Sequence, residues 1–115
     1  MKYILFVFAL IPMANAESWI KLNVPKGYVD YIDRDSIQIK GDFTYYTMKD
    51  ADVYENYSLI KFKHDCKYKA RQALSSTYYD KKTHKLTRSE VYSTSEMVQY
   101  PRSFAMINIE NVICS

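Results

Sequence analysis

The sequence predicts an α+β domain that is mainly β: an antiparallel sheet with one C-terminal helix tethered to its apolar face by a disulfide. Three observations predict it. Residues 60–71 alternate between apolar and charged side chains with period two, residues 103–113 change to helical spacing, and each segment has a cysteine in it or beside it. At 115 residues, 48% hydrophobic and 25% charged, the chain suits one globular domain rather than two, or a disordered segment. With only Gly27 and Gly41 present, no glycine-rich phosphate loop can be written, which removes the nucleotide-cofactor folds.

The first element is a leader. Met1-Lys2-Tyr3 is a short cationic start, Ile4 to Met13 is an apolar run, and Ala14-Asn15-Ala16 is an A-x-A cleavage site. Residues 1–16 therefore read as a signal peptide and residues 17–115 as the mature domain, exported to the periplasm or secreted. The apolar run is about half the ~20 residues that span a bilayer, so the chain reads as not membrane-spanning. Glu17 follows the cut where a bacterial lipid anchor needs Cys, so cell-surface association would have to do without a lipid anchor.

The mature part opens with short β-rich runs at residues 28–33 and 36–40, the second alternating Ile37 and Ile39 with polar neighbours. Gly41 and Asp42 supply a hairpin turn, and Phe43 to Met48 is the return strand. Loop length is open, so either Phe43/Tyr45 or Tyr46/Met48 shares the face of the isoleucines. Residues 50–56 read as a polar connection. From Ile60, the even positions are Ile60, Phe62, His64, Cys66, Tyr68 and Ala70. The odd positions are Lys61, Lys63, Asp65, Lys67, Lys69 and Arg71. On one continuous strand these sets face opposite ways, giving an apolar face and a basic one.

Further strands are expected at residues 73–79 and 87–100, joined by a polar turn at 80–85. Ser103 is a fair helix N-cap after Pro101, and Ala105, Ile109 and Val112, joined by Met106 and Ile113, then recur at helical spacing. In an oxidising compartment an even cysteine count in a small domain implies a disulfide, here Cys66 to Cys114. A metal site from the two cysteines and His64 lacks any CxxC or HxxxH spacing, so no metal is expected.

With these elements in order, the chain resembles the bacterial surface-adhesin protein E family. The carrying residues are Trp19, Tyr31-Ile32-Asp33 with Ser36-Ile37, Gly41 before an aromatic strand, Tyr57-Ser58, Asp65-Cys66, Arg71, Pro101 with Ser103, and Val112 before Cys114. The resemblance implies a six-stranded antiparallel sheet and a disulfide-tethered helix. It also implies non-enzymatic binding of host extracellular-matrix or serum proteins, with haemin among the reported ligands. Two features depart from the family: Glu17 replaces a lipid-anchor Cys, and Met97, Val98 and Tyr100 stand where a tryptophan is usual.

Catalytic chemistry finds no footing. His64 on the inner face reads as a satisfied core histidine, and His84 in a lysine-rich turn as a solvated one. No Ser lies in a G-x-S-x-G elbow, and the cysteines are assigned to the bridge. Asp30, Asp33 and Asp35 fit alternation and a turn better than a carboxylate dyad, and no Ca²⁺-loop pattern follows them. The chain reads as a binding protein with no catalytic residues and no required cofactor. Lys61, Lys63, Lys67, Lys69 and Arg71 are its candidate interaction face for a protein or acidic glycan partner. A formal charge of +3 and the export signal argue against nucleic acid. The alternative is a periplasmic binding or inhibitor protein acting on an envelope component or enzyme, or a haemin-binding protein. Oligomeric state is open, a dimer included.

Overall fold

The computed structural model describes residues 18–22, 28–52 and 56–114. The expected leader, residues 1–16, lies outside them. The strands are β1 (Trp19–Lys21), β2 (Tyr28–Asp33), β3 (Gln38–Lys40), β4 (Phe43–Asp52), β5 (Asn56–Asp65), β6 (Ala70–Asp80), β7 (Leu86–Val91) and β8 (Val98–Gln99). Among the described residues one α-helix, α1 (Phe104–Ile113), follows the strands. All pairings are antiparallel, in the order β1-β2-β4-β5-β6-β7, with β3 added to β4 and β8 to β6. The mainly β fold with a six-stranded central path and a tethered C-terminal helix is as expected. Among the described residues, no helix is long and apolar enough to cross a membrane.

Local chemistry sets the corners. Gly41 has φ 62°, as the first position of a two-residue II′-type hairpin requires, and Lys40 pairs with Phe43 across it. Asp80 accepts from the backbone N–H of Lys82 and Thr83 at 2.8 and 3.0 Å, closing the turn into β7. The Ser103 hydroxyl accepts from Met106 N–H at 3.2 Å and caps α1 as its position predicted.

Three expectations are corrected. Residues 60–71 are not one strand: β5 stops at Asp65, and residues 66–69 turn the chain back into β6. The Asp65 carboxylate causes the break, accepting from Lys67 and Tyr68 N–H at 3.0 Å each, while Lys69 takes a left-handed φ of 56°. The segment expected as a strand over 87–100 divides into β7 and β8. Between them Ser95 donates to the Ala73 carbonyl at 2.7 Å and follows the β6 edge without ladder pairing. The connection expected at 50–56 is shorter, because β4 continues to Asp52.

The open register around Gly41 is resolved. Tyr46 and Met48 are buried, together with Ile32 and Phe62, beneath Met106, Ile109 and Ile113 of α1. Phe43 and Tyr45 take the other face. Of the two isoleucines, Ile37 packs on the core and Ile39 is exposed. Cys66, in the turn after β5, and Cys114, at the end of α1, form the expected disulfide, with Cα atoms 5.7 Å apart.

The bridge spans 48 residues of sequence, for which chain entropy gives about 4 kcal/mol. Replacing Cys114 by Ala is expected to lower stability by about 2–4 kcal/mol in denaturant titration. Hydrogen exchange should accelerate in residues 104–113 before it does in the central strands.

Candidate functional site

The sheet has two unlike faces. On the inner face, Thr44, Tyr46, Met48, Ser58, Phe62, His64 and Ser76 are buried. On the outer face their neighbours remain half-buried or exposed, and no described helix covers them. Register places Lys21, Lys40, Lys49, Lys61 and Lys63 on this outer face, against Asp33 and Asp65. Both carboxylates are occupied by backbone N–H groups in turns, and no described ion pair involves these lysines.

Aromatic rings fill the spaces between those lysines. Lys49 Nζ lies 5.7, 5.8 and 4.7 Å from the ring centres of Trp19, Tyr31 and Tyr57. Tyr57 stacks on Tyr79 at 5.1 Å, and Trp19 meets Tyr31 edge-on at 6.4 Å. Lys63 sits 4.2 Å over Phe43, and Lys40 5.3 Å over Tyr45. Lys40, Tyr45 and Lys61 also line an open cleft of about 360 Å³.

The five basic residues singled out by alternation do not form one stripe. Lys61 and Lys63 lie on the outer face as expected. Lys67 is in the turn, over Tyr68 at 5.2 Å, and Lys69 bends to Glu110 of the helix at 3.4 Å. Arg71 is on the inner face, opposite His64, with its guanidinium 4.1 Å over the Phe62 ring. The turn at 66–69 reverses the parity of the alternation, so odd positions early in β6 face inward. Lys21, Lys40 and Lys49, missed by the sequence reading, come from strands whose register was then undetermined.

Beneath α1 a polar chain crosses the apolar core. Tyr100 donates to Glu110 Oε2 at 2.7 Å, so its oxygen accepts from His64 Nε2–H at 2.8 Å. His64 Nδ1 then accepts from Tyr46 O–H at 3.2 Å, and Arg71 reaches the Tyr46 oxygen at 3.5 Å. His64 is fully buried; burial and the adjacent Arg71 push its pKa down to about 4, keeping it neutral. Burial opposes charge on Glu110, yet the Tyr100 hydrogen bond, Lys69 and Arg102 hold its pKa below the ordinary value. The histidine expected as a satisfied core residue is one. The structure also brings the ligand atoms of His64, Cys66 and Cys114 within 4.8 Å of one another, a grouping that linear spacing did not suggest.

A carboxylate pair occupies the other end of the inner face. Asp30 on β2 is directly opposite Asp50 on β4, and Asp30 Oδ1 is buried without a hydrogen-bond partner among the described residues. Burial first, then the Asp50 carboxylate, raises the Asp30 pKa to about 6; Arg71 acts the other way. Alternation alone, as read from the trio at 30, 33 and 35, did not show this pairing.

A scan against protein-family models, a search of curated proteins and a search of solved structures each find no match to this chain.

The raised Asp30 pKa sets a sign for pH dependence. Stability from this carboxyl is fully present below its unfolded pKa near 4 and is lost as pH rises through about 6. Asp30→Asn is therefore expected to raise stability at pH 7 by about 1 kcal/mol after allowance for solvent screening, and to change little at pH 4. Thermal melts of both proteins between pH 4 and 8 measure the difference.

Proposed function

We propose that this chain is a non-enzymatic, exported binding domain of the surface-adhesin E type, and that its uncovered sheet face docks an acidic protein segment. The observation that carries this reading is the unequal charge of that face: among the described residues, five lysines stand against two carboxylates already used in turns. Positive potential over a flat sheet speeds encounter with acidic partners and makes binding salt-dependent.

The rings favour a protein over a glycan. Tyr57 has Tyr79 on one side and Lys49 close to its ring, so its faces are engaged within the sheet. Half-buried Trp19 and Tyr31 lie beside Lys49 on this face; Tyr and Trp are enriched in protein interfaces, while the lysines supply the charge that steers an acidic partner. The resemblance to the adhesin family supports the same class of partner, a host matrix or serum protein.

Lys40→Glu, Lys61→Glu and Lys63→Glu together alter only the outer face and should leave the fold intact. Binding to immobilised polyglutamate at low salt is expected to fall by about tenfold or more, equivalent to about 1.4 kcal/mol. Wild-type binding should weaken steeply as salt is added. Full binding by the triple variant would move the site elsewhere. Preference for heparin over polyglutamate would replace the protein partner with an acidic glycan.

A further inference from the structure

We propose that His64, Cys66 and Cys114 form a zinc site when the disulfide is reduced, with two thiolates and one imidazole as ligands and water in the fourth position. A ring nitrogen of His64 and the sulfurs of Cys66 and Cys114 lie within 4.8 Å of one another. Tetrahedral zinc needs sulfur at about 2.3 Å and nitrogen at about 2.0–2.1 Å, so the site requires side-chain rotation once the S–S bond opens. Both cysteines are half-buried, so a small reductant and a metal ion can reach them. Cys66 sits in a turn and Cys114 at a helix end, which leaves each backbone room to adjust.

The shell around the histidine is also suitable. Metal-binding histidines characteristically donate their second ring N–H to a polar partner that fixes tautomer and orientation. Here Nε2–H donates to Tyr100, which donates to the buried Glu110 carboxylate, leaving the lone pair on Nδ1. The Nδ1 contact from Tyr46 is the longer of the two, at 3.2 Å, and is the one a metal would displace.

The chemistry balances with a dithiol as reductant. Two electrons from the dithiol cleave the Cys66–Cys114 bond, two protons complete the thiols, and the reductant leaves as its own disulfide. Zinc then displaces both thiol protons to solvent as two Zn–S bonds form. The bridge and the metal are thus mutually exclusive occupants of one site.

The test uses the full chain, reduced with a phosphine to avoid a competing dithiol chelator, and Zn²⁺ in competition with a chromogenic chelator. One zinc per reduced chain and none on the oxidised chain is expected. X-ray absorption should show two sulfurs and an imidazole nitrogen. Tyr100→Phe should keep the sheet by circular dichroism while weakening zinc by about 10–100-fold, the cost of losing an outer-shell partner. Zinc uptake no greater than that of a reduced Cys66→Ser control, or equal uptake by the oxidised chain, would overturn the proposal. So would a spectrum with sulfur but no imidazole, or a reduced chain that stays unfolded with zinc present. If Tyr100→Phe does not fold, the wild-type absorption spectrum decides.

Discussion

The chain of hydrogen bonds from Arg71 through Tyr46, His64 and Tyr100 to Glu110 constrains everything around it. It joins β4, β5, β6 and the segment after β8 to α1, within the core that Phe62, Met106 and Ile109 otherwise keep apolar. Each such bond adds only about 1 kcal/mol net, but leaving one buried partner unsatisfied costs about 1–3 kcal/mol. The chain has a direction, because the deprotonated Glu110 must accept and every hydroxyl upstream must therefore donate towards it. That direction requires a neutral His64, and burial of the ring keeps it neutral.

Fixing α1 to one face leaves the other uncovered. A helix bound only by apolar side chains could slide along a sheet; one fixed by a polar chain and by Cys114 at its end has a single register. The outer face consequently stays open to solvent, where Lys49 lies among three rings and pairs with no carboxylate among the described residues. The same fixed position brings Cys114 to Cys66 beside His64, so the bridge and the polar chain support each other at one end of the molecule.

Much of the fold was legible in the sequence, for physical reasons. Period-two burial at Phe62 and His64, the Ser103 cap, the glycine at the first hairpin turn and an even cysteine count each leave a local trace. The turn at 66–69 did not, because Asp65 and Lys69 fit the alternation as well as any strand residue would. Its parity change moved Arg71 to the inner face, and the irregular register near Leu74 changed parity again further along β6. The outer-face lysines were only partly visible, since Lys21, Lys40 and Lys49 depend on register that a single strand cannot reveal. The buried chain was not visible at all: residues 46, 64, 100 and 110 share no period and meet only after the sheet has formed.

Nitrogen-15 NMR of the His64 ring between pH 4 and 8 reports its tautomer and charge directly. The ring is expected to stay neutral, protonated at Nε2 and bare at Nδ1, until pH falls to about 4. An imidazolium at pH 6, or a proton on Nδ1 in the neutral ring, would contradict the hydrogen-bond direction on which the placement of the helix depends.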